Sequence, residues 1–150
     1  MNVSILGTGA YGLALAMMFN KNKNNIKMWT KFESEKEELV NTRENKRVLP
    51  GIKIPKNIEI STDFYNVVKD ANLIVIAVPA GFVDDVSFEL SKYYHDDQYV
   101  LLASKGIERD SCLFVADIFR RHVKTKRYAV ISGPSFAVYC YELPNWIISC

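Results

Sequence analysis

Gly7, Gly9 and Gly12 stand at the spacing G-x-G-x-x-G in Gly7-Thr8-Gly9-Ala10-Tyr11-Gly12, directly after the short apolar run Val3 to Leu6. Backbone N–H groups can hold a pyrophosphate only where no side chain intervenes, and a helix N-terminus supplies both those donors and a favourable dipole. Val3 to Leu6 reads as a strand, and Leu13, Leu15, Ala16, Met17 and Phe19 read as the buried face of a helix. Between strand and helix the three glycines have separate duties. Gly7 permits the tight turn, Gly9 lets phosphates approach the backbone, and Gly12 lets the helix pack against the strand. Without that context the same spacing would serve equally as a turn that merely packs. With it, the pattern points to a dinucleotide pyrophosphate.

NAD-specific versions of this turn place a carboxylate about 20 residues further on, at the end of the second strand, where it accepts the ribose hydroxyls. Here that place reads Trp29, Thr30, Lys31, Phe32. Lys31 could meet a 2′-phosphate or stand as a solvated surface lysine, and Glu33 is close enough to act as a displaced ribose ligand. NADP is allowed and NAD is not excluded.

The elements that must position these groups alternate. Ile26 to Trp29 reads as a second strand and Glu33 to Asn45 as a surface helix with a thin apolar stripe at Leu39 and Val40. Ile58 to Ile60 is a weak strand leading to Ser61 or Thr62 as a helix cap, and Asn72 to Val78 is a strong aliphatic strand of the kind buried inside a parallel sheet. Val83 to Tyr94 is helix-like, Tyr99 to Ala103 a strand, Cys112 to His122 a helix and Tyr128 to Ile131 a sixth strand. This alternation predicts an α/β fold of Rossmann type: a doubly wound, mostly parallel sheet with helices on both faces.

Bulk properties exclude other classes. A net charge of +2 is too even to supply the field of a general nucleic-acid binder. No apolar run approaches the roughly 18 to 20 residues that span a bilayer, so no membrane insertion is expected. Cys112, Cys140 and Cys150 are odd in number and lack C-x-x-C spacing. They indicate neither a zinc site nor a disulfide framework, and read as reduced thiols in the cytoplasm. Trp146 to Cys150 looks like the opening of a further strand, so residues 1–150 are expected to be one NAD(P)-binding domain of a longer chain.

Several segments together resemble the bacterial NAD(P)-dependent sn-glycerol-3-phosphate dehydrogenases. They are Trp29 closing the second strand, Asn45 to Ile54 as N-K-R-V-L-P-G-I-K-I, Ser104 to Glu108 as S-K-G-I-E, and Ile131 to Ala137 as I-S-G-P-S-F-A. The resemblance runs from Asn2 to about Ala137. It implies hydride exchange between NADH or NADPH and dihydroxyacetone phosphate, giving sn-glycerol 3-phosphate for glycerophospholipid synthesis, and it permits a homodimer. Carried over position by position, it implies cofactor contacts at Ala10, Tyr11, Lys31, Phe32, Lys105 and Ala137, beside the glycines. It implies substrate contacts at Lys105, Gly133 and Ser135, and assigns His95 and His122 no role. An ammonium at Lys105 would stabilise charge developing on a carbonyl oxygen that accepts hydride.

The chain departs from the family's pattern over Val138 to Pro144 and at Phe32, where arginine is frequent. The resemblance further implies that the general acid/base lysine lies in a helical second domain after Cys150, so no catalytic acid/base is assigned within these residues. The alternative readings are a non-catalytic dinucleotide-binding module or degenerate paralogue, and another two-domain oxidoreductase of the same superfamily.

Overall fold

In a computed structural model, described over residues 1–108 and 112–131, six strands form one sheet in the order β3-β2-β1-β4-β5-β6. The strands are β1 (Asn2–Leu6), β2 (Asn25–Trp29), β3 (Glu59–Ser61), β4 (Leu73–Ile76), β5 (Tyr99–Leu102) and β6 (Tyr128–Val130). Between them run α1 (Ala10–Lys21), α2 (Glu33–Thr42), α3 (Phe64–Val68), α4 (Val83–Ser91) and α5 (Val115–His122), with a 3-10 turn at Ala80–Phe82 leading into α4. All five strand pairings are parallel.

The chain winds outward from β1 to β3, then crosses back to lay β4 on the other side of β1 and winds out again to β6. The strand order therefore reverses between β1 and β4. In an open parallel sheet this is where a crevice opens beyond the strands' carboxyl ends, because the flanking loops depart to opposite sides.

The pleat sends alternate residues into two cores. Val3 and Ile5 of β1 and Val75 of β4 pack with Leu13, Ala16 and Met17 of α1 and Leu39 of α2 on one face. Leu6, Ile74 and Ile76 pack with Val67 and Val68 of α3, Val86 and Leu90 of α4 and Phe119 of α5 on the other. Helices thus cover both faces, which explains why β4 is aliphatic throughout and why Ser4 of β1 is buried, its hydroxyl donating to the Val67 carbonyl. Truncating one of these fully buried aliphatics, such as Ile5→Ala, should cost about 2–5 kcal/mol.

Element boundaries differ from the sequence expectation where local backbone chemistry intervenes. α2 stops at Thr42, short of Asn45, because Arg43 takes the left-handed conformation (φ 52°) while its N–H closes on the Leu39 carbonyl. Its apolar stripe is Leu39 alone, since Val40 is exposed. Neither Ser61 nor Thr62 caps α3: the Asp63 side chain accepts the Asn66 N–H at 2.9 Å, and Ser61 Oγ accepts the Asp63 N–H. α5 begins at Val115 rather than Cys112, because Phe114 is drawn into a bridge with Ile107. The strand expected at Trp146 to Cys150 lies outside the described residues.

Candidate functional site: a dinucleotide cleft

The three glycines of the turn answer to different constraints. Gly7 has φ +119°, and a Cβ there would stand 2.6 Å from the Ala77 carbonyl oxygen. That carbonyl belongs to the chain leaving β4, whose own N–H bonds the Leu6 carbonyl at 2.9 Å, so β1 and β4 are locked at this point. A Cβ at Gly12 would run into the Gly7 carbonyl oxygen. Gly9 is different: its φ of −67° suits any residue, and a Cβ there would meet nothing within 4 Å. The fold needs Gly7 and Gly12, whereas at Gly9 the missing side chain only keeps space open.

That space lies at the N-terminus of α1. Gly9 is the N-cap, its carbonyl accepting the Leu13 N–H at 2.9 Å. The N–H groups of Ala10, Tyr11 and Gly12 have no acceptor within the helix, by the geometry of any first turn. No acidic residue stands in that turn to oppose an anion. A pyrophosphate fits this cradle by both shape and charge.

From Gly7, Thr8 and Gly9 a cleft of about 590 Å³ runs between the end of β2 with the residues that follow it (Trp29 to Phe32) and those after β4 (Ala77 to Pro79, then Phe82, Asp85, Phe88 and Glu89). Phe32, Phe82 and Phe88 are exposed large apolar side chains, which is the surface an aromatic base would cover. The Thr30 hydroxyl accepts the Phe32 N–H at 3.4 Å and donates to the carboxylate of Glu35, which lines the same cleft from the first turn of α2. Lys31 lines it too, with Nζ 3.9 Å from Asp85 Oδ2 and both side chains mostly exposed.

Glu33 is turned elsewhere. Its carboxylate accepts from Lys36 Nζ and from the Thr62 hydroxyl at 2.7 Å, and these two bonds, the lysine's first, hold it below the ordinary carboxylate range.

On the other side of the turn, β5 delivers Lys105. Ala103 and Ser104 are buried and both bond the Ile76 carbonyl, Ala103 through its N–H at 2.8 Å and Ser104 through its hydroxyl at 3.3 Å. Lys105 then emerges with Nζ 4.8 Å from the centre of the Tyr11 ring. Two residues 94 positions apart in sequence therefore meet at the start of α1. Gly133, Ser135 and Ala137 lie outside the described residues.

The sequence singled out neither Thr30 nor Glu35, and Asn45 only as the end of the surface helix and the start of the N-K-R-V-L-P-G-I-K-I segment. Asn45 is 3% exposed and its Nδ2 donates to the Thr8 carbonyl at 3.3 Å, tying the loop after α2 to the glycine turn. Glu44 beside it accepts from Lys53 Nζ at 2.7 Å and from the Gly51 N–H at 2.9 Å, bonds that hold its carboxyl below the usual range. His122, given no role, lies with Nε2 2.9 Å from Asp84 Oδ1 and packs edge-on against Phe88, a wall of the cleft. Among the described residues no helix is long and apolar enough to cross a membrane.

With the turn and cleft defined, comparison with known proteins decides the family. A family model described as the N-terminus of NAD-dependent glycerol-3-phosphate dehydrogenase matches residues 2–142. The chain belongs to this family. Its segment is the family's dinucleotide-binding N-terminal domain, and among its relatives is a glycerol-3-phosphate dehydrogenase (NAD(P)+) of Fusobacterium nucleatum, 35% identical over 137 residues. A relative of the same name in Neisseria meningitidis is 32% identical over 138 residues. The chain spans 41% and 42% of the length of these two relatives, which in turn match 90% and 91% of it.

Among solved structures, glycerol-3-phosphate dehydrogenase of Coxiella burnetii superposes with a TM-score of 0.85 at 23% identity, covering 93% of this chain and 43% of that one. The yeast Saccharomyces cerevisiae enzyme superposes at 0.79 and 22% identity, covering 95% and 44%. At such identities the structures show the fold, which is that of the family's N-terminal domain.

Proposed function

We propose that the chain is the cofactor-binding part of an enzyme that interconverts dihydroxyacetone phosphate and sn-glycerol 3-phosphate. The observation that carries this reading is the meeting of Lys105, from the S-K-G-I-E segment, with the first turn of α1 beside the open face of Gly9. Family membership favours the enzyme over a free-standing binding module. The nicotinamide dinucleotide supplies the hydride. The backbone N–H groups of Ala10, Tyr11 and Gly12 hold its pyrophosphate, and the cleft between Thr30 and Phe88 takes its adenosine end.

The chain's own chemical contribution is electrostatic. A carbonyl oxygen that accepts hydride gains negative charge, and an ammonium at Lys105 stabilises it there. With the backbone before it fixed by buried Ala103 and Ser104 and its ammonium beside the Tyr11 ring, Lys105 is placed before substrate arrives, which lowers the cost of ordering it. Gly133 and Ser135 are proposed as neutral donors to the same substrate and Ala137 as a further cofactor contact. The proton that must reach the product oxygen comes from a lysine in a helical domain following residue 150. The proposed setting is cytoplasmic, with the product feeding glycerophospholipid synthesis.

Turnover of dihydroxyacetone phosphate tests the reading. The 150-residue chain should show none, the longer protein should turn over, and Lys105→Ala in the longer protein should lower kcat/KM by at least about tenfold, equivalent to about 1.4 kcal/mol. Unaltered kinetics in that variant would remove Lys105 from the reaction.

A further inference from the structure

Resting on the dinucleotide reading of the cleft, we infer that this chain selects NADH over NADPH, and that Glu35, held by Thr30, is the residue that selects. No carboxylate follows β2 directly: the chain there reads Thr30, Lys31, Phe32. The fold replaces it from five residues further on. α2 starts at Glu33, so its first turn carries Glu35 back over the end of β2, where the buried Thr30 hydroxyl donates to the carboxylate. That hydroxyl is itself oriented by the Phe32 N–H. With one bond from the Thr30 hydroxyl, the two oxygens of Glu35 keep further acceptor positions.

A carboxylate facing the cleft suits the two hydroxyls of a ribose, both of which can donate to it. It opposes a 2′-phosphate, which carries about two negative charges at neutral pH. The rest of the cleft adds to the discrimination. Among the described residues its charged lining consists of Glu35, Asp85 and Glu89 against the single ammonium of Lys31. Lys31 is already drawn to Asp85 across the cleft, at 3.9 Å, and is largely exposed, so it offers a 2′-phosphate a weak and shared contact. Glu33, the nearer acid in sequence, does not line the cleft, and its two oxygens already accept from Lys36 and Thr62.

Calorimetric titration of NADH and NADPH into the 150-residue chain and its variants tests this, with circular dichroism confirming that each variant is folded. The wild-type chain should bind NADH at least about tenfold more tightly than NADPH. Glu35→Gln, a nearly isosteric change at a half-exposed site, should lower that ratio at least about fivefold, and Thr30→Val should move it in the same direction. NADPH binding as tight as NADH in the wild type would overturn the inference. So would an unchanged ratio in folded Glu35→Gln, or a ratio that collapses in Glu33→Gln instead. Absence of heat with both dinucleotides would overturn the dinucleotide reading itself and this inference with it, a result distinguishable from tight but unselective binding.

Discussion

Asn45, buried in the loop after α2, donates from Nδ2 to the carbonyl oxygen of Thr8 in the glycine turn, 37 residues earlier in the chain. The bond spans two segments that pack against each other but touch the cleft on one side only, since Thr8 lines it and Asn45 does not. Asn45 therefore acts on the cofactor through the shape of the turn. Asn45→Ala should leave a buried carbonyl with a lost donor and cost about 1–3 kcal/mol of stability, read from denaturant unfolding. NADH and NADPH affinities should fall by the same factor, because the pyrophosphate is common to both. A selective loss of one cofactor would contradict this placement.

Gly12→Ala separates packing from binding. The added methyl meets the Gly7 carbonyl, a backbone atom that cannot turn aside, so α1 must move off β1. Overpacking of this kind costs typically about 1–3 kcal/mol. At the length of this chain that corresponds to a fall in Tm of several degrees, on the order of 2–4 °C per kcal/mol. A thermal melt of Gly12→Ala indistinguishable from wild type would show that helix and strand are less closely set than described.

How much of this was legible in advance depended on the range of the interaction. Glycine spacing and apolar runs are local signals, and they led to the order of strands and helices and to the crevice beyond β1. The parallel register, with Ile5 beside both Met28 and Val75, follows from two-sided burial that the aliphatic runs already announced. Glu35 was missed for a local reason: the sequence rule looks directly after β2, and only the entry angle of α2 shows which acid returns to it. Asn45 and the Tyr11–Lys105 contact depend on tertiary packing across many residues. Asp63 displaced Ser61 and Thr62 as cap because a helix N-terminus is set to within one residue by which side chain reaches the third N–H, a distinction finer than composition provides.

Acid should weaken the loop that supports the turn. Glu44 is held below the ordinary carboxylate range in the fold, first by Lys53 and then by the Gly51 N–H. A carboxyl lowered in the folded state contributes stability above its unfolded value and loses it as pH falls through the folded one. Glu44→Gln should therefore be less stable than wild type at neutral pH, with the gap closing as pH falls below the ordinary carboxylate range. Urea midpoints of the two proteins across that range measure it, and a gap independent of pH would assign the loss to packing instead.

The open face of Gly9 is the proposed seat of the dinucleotide pyrophosphate. Gly9→Val places a branched side chain where nothing lies within 4 Å, in a backbone conformation that valine accepts, so the variant should fold and melt as the wild type does. Titrated with NADH by calorimetry, the wild-type chain should show saturable binding and the folded Gly9→Val chain none. Equal affinity in the two proteins would contradict the account.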